Sequence, residues 1–193
     1  MNTKDIKKYS LINETLNAHA DDKSIVDKIT ALASIDFTTA FEVWEYILTA
    51  HQKRLEEEIV SVNLERKIFA VLNDLSESSF RRLFTESLPL NKLIYSICAT
   101  SCTGTNLQFI ANLILSAKLD AAEEALRCVK ANFVEGYGER MKSIVDTVFY
   151  TYCTKNNVRK CELTRKQSTL LLEYVTKIKG PNKTLLGQRI KEL

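Results

Sequence analysis

An all-α fold of about ten helices follows from three observations. Apolar residues recur at three- and four-residue steps along most of the chain, which is the period of one helix face. Glycine and proline are scarce, five and two among 193 residues, whereas turn-rich β architectures need more of both. Ser, Thr, Asp or Asn stands before most of the apolar runs, where a helix needs an N-cap.

The clearest element is a hairpin between Gly104 and Asn132. In its first arm Leu107, Ile110, Leu113, Ile114 and Ala117 mark one face, and Phe109 and Leu115 widen it, so burial on more than one side is expected. Gly104 and the polar residues Thr103, Thr105 and Asn106 supply the preceding break and a cap. Asp120 is expected to cap the second arm, with Glu123 reaching back to it in a reciprocal box. Ala122, Ala125, Leu126 and Val129 form a narrow stripe of small residues that lets two helix axes approach. The short connection predicts antiparallel arms.

The remaining elements are read in chain order. Lys4 to about Ala18 carries Ile6, Tyr9, Ile12 and Leu16 on one face. Asp21 to Ser24 provides capping chemistry before Ile25, Val26 and Ile29. Asp36 begins a helix with a broad aromatic stripe in which Trp44, the only tryptophan, is a core anchor. Glu56, Glu57 and Glu58 would be badly placed at a negative helix end, so the helix either continues to about Leu75 or breaks near Ser61 or Asn63, and the break is preferred. Ser76 to Ser79 caps a short helix with Phe80, Leu83 and Phe84, and Pro89 bounds it. Asn91 precedes Leu93, Ile94 and Ile97. Phe133 to Gly138 reads as a loop, and Met141, Ile144, Val145, Val148, Phe149 and Tyr152 as a helix closed by a turn at Lys155 to Val158. Thr164 starts a helix through Leu170, Leu171, Tyr174, Val175 and Ile178, with Gly180 and Pro181 as its stop. Thr184 to Leu193 completes the set.

Successive hairpins suggest repeats. The pair at 105–132 has the length of a tetratricopeptide-like or HEAT-like unit, but the tetratricopeptide pattern is absent and no period of about 34 to 47 residues recurs. The expectation is one domain, 1–193, as a helical-repeat-like array or an irregular bundle. A sub-boundary is placed near 155–163, ahead of a basic C-terminal segment.

Several function classes find no support in the sequence. The first ten residues carry three Lys and no apolar core, unlike a secretory signal, and no run approaches the length of a membrane span. The expected location is the cytoplasm. The five cysteines, Cys98, Cys102, Cys128, Cys153 and Cys161, are odd in number and sit mostly in apolar helical context, so they read as buried hydrophobes in a reducing compartment. Cys98 and Cys102 could share a face, but no second pair or His follows at zinc spacing. His19 and His51 belong to no metal or nucleophile motif. Gly136-Tyr-Gly138 lacks the third glycine of a dinucleotide fingerprint. No catalytic, cofactor-binding or metal-ligating residue is assigned. This leans against an enzyme, although a site assembled from distant residues carries no local motif.

Charge is distributed unevenly. From Lys155 to Leu193 ten Lys and Arg face three Glu, a balance of +7. The whole chain carries +3, which leaves −4 for Met1 to Thr154. A basic end on a mildly acidic body attracts an acidic protein surface or a phosphate backbone. Two functions are carried forward. The first is a non-enzymatic helical module that binds a protein or peptide. The alternative is a nucleic-acid-binding protein. In either, Arg159, Lys160, Arg165 and Lys166 are the contact residues.

Overall fold

The computed structural model describes residues 2–17, 19–56, 62–87, 91–92, 95, 104–156 and 162–193. Among them are ten α-helices and no strand. They are α1 (Thr3–Leu16), α2 (Asp22–Ile35), α3 (Phe37–Glu56), α4 (Val62–Asp74), α5 (Glu77–Glu86), α6 (Gly104–Leu115), α7 (Leu119–Asn132), α8 (Tyr137–Asn156), α9 (Arg165–Thr176) and α10 (Asn182–Glu192). The all-α expectation is met. The chain forms two compact units, Met1–Leu93 and Ile94–Leu193.

In the first unit α2 lies among α1, α3 and α4, and helices two apart in the sequence, α1 with α3 and α2 with α4, pack extensively. Its core is aliphatic: Ile25, Ile29, Val43, Ile47, Ile68 and Leu72 are fully buried. Trp44 is 2% exposed, as a core anchor should be, and its indole Nε1 meets no acceptor among the described residues. Both α3 and α4 pack against α2 and against each other, so one straight helix through both is ruled out. Ser61, one of the two positions expected to mark the break, lies outside the described residues, and Asn63 sits in the first turn of α4.

Caps follow the sequence closely here. Asp21 accepts from Ser24 N–H at 2.9 Å, and Ser76 accepts from Ser79 N–H at 3.2 Å. Asp36 closes α2 and opens α3: its carboxylate takes the Thr39 N–H at 3.1 Å, the Thr39 hydroxyl at 2.9 Å and the Lys4 ammonium at 3.0 Å. Those contacts, Lys4 first, hold its pKa down at about 2. Lys67 is 1% exposed, and its ammonium donates to the Asn17 carbonyl at the end of α1. A helix C-terminus is where a buried cation is best placed.

Helix α1 departs from expectation. Leu11, Ile12 and Thr15 face inward, whereas Ile6 and Tyr9 are half exposed. The ion pairs of Lys4 with Asp36 and Lys8 with Glu42 fix the side of α1 that turns to α3, and Ile6 points away from it.

The second unit is built on α6 and α8, which pack together most extensively. Phe109, Ile110, Leu113, Ile114, Met141, Ile144, Val145 and Val148 are buried between the elements of this unit. The α6–α7 hairpin forms where the periodicity placed it, but its corner differs. Lys118 N–H donates to Leu113 O at 2.9 Å and Ala117 N–H to Ile114 O at 3.1 Å, the paired bonds of a Schellman motif. Ala117 occupies the left-handed position, φ +58°. The next helix therefore starts at Leu119, with no side-chain cap, and Asp120 falls one residue inside it. The reciprocal box with Glu123 does not form.

The loop expected at Phe133 to Gly138 is shorter than predicted, because Tyr137 opens α8 and is buried. Gly180, with φ +94°, is not the C′ residue of α9. That helix ends at Thr176, and the Gly180 carbonyl accepts from Lys183 N–H at the start of α10. In α10 Leu186, Ile190 and Leu193 are buried and Leu185 is exposed. Helix α9 packs on α7, α8 and α10, and α10 also packs on α8, which makes the basic segment part of this unit's core. Among the described residues no helix is long and apolar enough to cross a membrane.

Candidate partner-binding groove

The N-terminus of α9 is fixed by one side chain. Thr164 and Gln167 form a capping box: Gln167 N–H donates to Thr164 Oγ1 at 3.3 Å, and Thr164 N–H donates to Gln167 Oε1 at 2.7 Å. The other end of the same amide donates from Nε2 to Ile114 O at 2.7 Å and Leu115 O at 3.3 Å. These are carbonyls of the last turn of α6, where Ile114 O also takes the Ala117 N–H at 3.1 Å. Gln167 is 5% exposed, so the clamp works out of water.

Arg165 and Lys166 stand on the first turn of α9 and are exposed. Neither makes an ion pair among the described residues. Two cations at the positive end of a helix macrodipole disfavour the helix by a few tenths of a kcal/mol each. Helix stability gives no reason for them to be there.

They form one end of an open groove of about 550 Å³ between α7 and α9, lined by Leu119, Glu123, Arg165, Lys166, Thr169, Leu170 and Glu173. Two contacts set the relative direction of these helices. Gln167 meets Ile114 and Leu115, just before α7 begins, and the Tyr174 hydroxyl donates to Glu123 O at 3.0 Å. The helices therefore run side by side in the same sense, both N-termini at the cationic end. Tyr137 O–H donates to Tyr174 O at 3.1 Å and ties α8 beneath the groove. Burial, and then the carboxylates of Glu123 and Glu173, push the Tyr174 phenol pKa up, as expected where both acids converge on it.

The other predicted contact residues, Arg159 and Lys160, lie outside the described residues. The rest of the basic segment is scattered. Lys177 sits over the Tyr174 ring at 4.0 Å and pairs with Glu173 at 3.5 Å. The Arg189 guanidinium lies over Phe149 at 3.9 Å and 4.0 Å from Asp146. Lys179, Lys183 and Lys191 are exposed elsewhere.

Tyr174 is buried and Tyr150 is exposed, while the Tyr152 side chain lies outside the described ones. Cys128 is buried, and desolvation with the nearby Glu124 raises its thiol pKa to about 11. Cys98, Cys102 and Cys161 fall outside the described residues, as does the Cys153 side chain. His51 is 1% exposed and His19 sits in the turn after α1. Among the described residues no group of three or more His, Cys, Asp or Glu could hold a metal ion.

Sequence reasoning identified Thr164 but not Gln167, although the Thr-x-x-Gln spacing carried the signal. Glu123 and Glu173 lie 50 residues apart, and no local pattern joins them. No family model, curated protein or solved structure matches the chain.

Proposed function

We propose that this protein is a non-enzymatic helical interaction module of the cytoplasm that binds a protein or peptide partner through the α7–α9 groove. The observation that carries the reading is the placement of Arg165 and Lys166: exposed, without ion-pair partners among the described residues, and clamped by Gln167 at a helix end where they weaken the fold. Their positions on a rigid helix suit recognition of an acidic group. Glu123 and Glu173 in the same groove weigh against a phosphate backbone, which needs a run of cations free of carboxylates. The dispersal of Lys179, Lys183 and Lys191 weighs the same way.

The test compares capture from nuclease-treated and untreated lysate by the wild-type chain and by the Arg165→Glu/Lys166→Glu variant, at low and high salt. Protein captured by the wild type, insensitive to nuclease and lost in the variant is the expected result. Capture that nuclease abolishes would move the assignment to nucleic acid. Equal capture by both proteins would remove the groove from the function.

A further inference from the structure

The groove has a polarity that specifies its occupant. Arg165 and Lys166 stand at one end with the N-termini of α7, at Leu119, and of α9; Glu123 and Glu173 stand toward the other, near Tyr174, where Lys177 pairs with Glu173 at 3.5 Å; Leu170 lies between. From Arg165 to Glu173 is eight residues along α9, about 12 Å at the helical rise. A strand advances about 3.3 Å per residue and turns alternate side chains to the same side, so its positions i, i+2 and i+4 span about 13 Å on one face. The groove is open to solvent and holds about 550 Å³, so a single extended segment can lie along it.

We propose, resting on the interaction reading above, that the groove takes an extended peptide segment with an acidic side chain, an apolar one and a basic one at alternate positions. The acidic side chain docks on Arg165 and Lys166, the apolar one on Leu170, and the basic one between Glu123 and Glu173, displacing Lys177 from its 3.5 Å pair with Glu173. Opposite charges at the two ends fix the direction of the peptide, because reversing it sets acid against acid and base against base. Leu170 is 8% exposed, so the floor contributes shape and a small apolar contact.

The experiment uses the full-length chain and an array of immobilised peptides with Gly-Ser flanks. The central sequences are Asp-Thr-Leu-Thr-Lys, the same with Ser for Leu, one with Asp at both ends and one with Lys at both ends. The first should retain the protein at least about tenfold better than the other three. Arg165→Glu/Lys166→Glu and Glu123→Lys/Glu173→Lys should each reduce that retention about tenfold, and the variant with all four changes should restore it, since the peptide can then bind reversed. Circular dichroism of each variant establishes that its helices are intact.

Best retention by the doubly acidic peptide, or no rescue in the fourfold variant, would overturn the bipolar groove. If lysate capture still depends on Arg165 and Lys166 in that case, the interaction reading survives it. If capture is indifferent to them, both fall together.

Discussion

Replacing Gln167 tests whether the groove is held by the clamp beneath it. Gln167→Ala removes the acceptor for Thr164 N–H at 2.7 Å and the donor to Ile114 O at 2.7 Å and Leu115 O at 3.3 Å. Two good neutral hydrogen bonds and one weak one, each contributing about 1 kcal/mol net, put the loss at about 2–3 kcal/mol. The Ile114 carbonyl keeps its bond from Ala117 N–H, which holds the figure toward the lower end. Gln167→Glu separates the two roles. Its carboxylate can still accept from Thr164, but it confronts two carbonyl oxygens with no proton to give. It should therefore destabilise at least as much as alanine at pH 7. Protonation supplies a donor, so the folded form raises the introduced carboxyl's pKa, and stability returns as pH falls toward 4.

Trp44 lies in the other compact unit, so tryptophan fluorescence would not report this site. Hydrogen–deuterium exchange of peptides covering 165–176, with the 22–35 peptide as internal control, gives the local free energy. The reasoning fails if Gln167→Glu protects α9 as well as the wild type at pH 7, or if Gln167→Ala loses less than about 0.5 kcal/mol.

Ala117→Gly should stabilise the second unit by about 0.5–1 kcal/mol: it relieves a left-handed alanine and gives part of that back as unfolded-state entropy, a shift exchange of 104–132 would register. Tyr174→Phe leaves the core volume nearly unchanged and should cost about 1 kcal/mol through loss of the bond to Glu123 O, seen as faster exchange in α7; unchanged exchange would discount that bond. Asp36, with its pKa lowered from 3.8 to about 2, adds stability to the α2–α3 corner that is complete above about pH 4 and is lost as pH falls to about 2. Asp36→Asn should flatten the acid limb of an unfolding titration in that window, and an unaltered limb would count against the cap. Cys128, buried with its pKa raised to about 11, should resist alkylation at pH 8 until the unit unfolds, measured by mass of the peptide containing it; rapid native-state labelling would contradict its burial.

The amino-acid order by itself determined the helices and most of their starts, because periodicity and capping are local properties. Asp21, Asp36, Ser76 and Thr164 each cap where they were expected to. Its charge balance pointed to a basic C-terminal segment with Arg159, Lys160, Arg165 and Lys166, of which the last two are among the described residues. What it could not determine is how each helix is rotated against its neighbours. Ile6, Tyr9 and Leu185 lie on faces that look apolar in sequence and turn outward in the fold, since salt bridges and packing elsewhere set the rotation. The α6–α7 corner closed on backbone bonds around a left-handed Ala117, so Asp120 lost its capping role to a motif with no glycine to announce it. The groove belongs wholly to the tertiary structure. Glu123 and Glu173 line one groove because Gln167 and Tyr174 bind main-chain carbonyls on α6 and α7. Backbone carbonyls are the same at every residue, so the sequence holds no mark of which ones will be chosen.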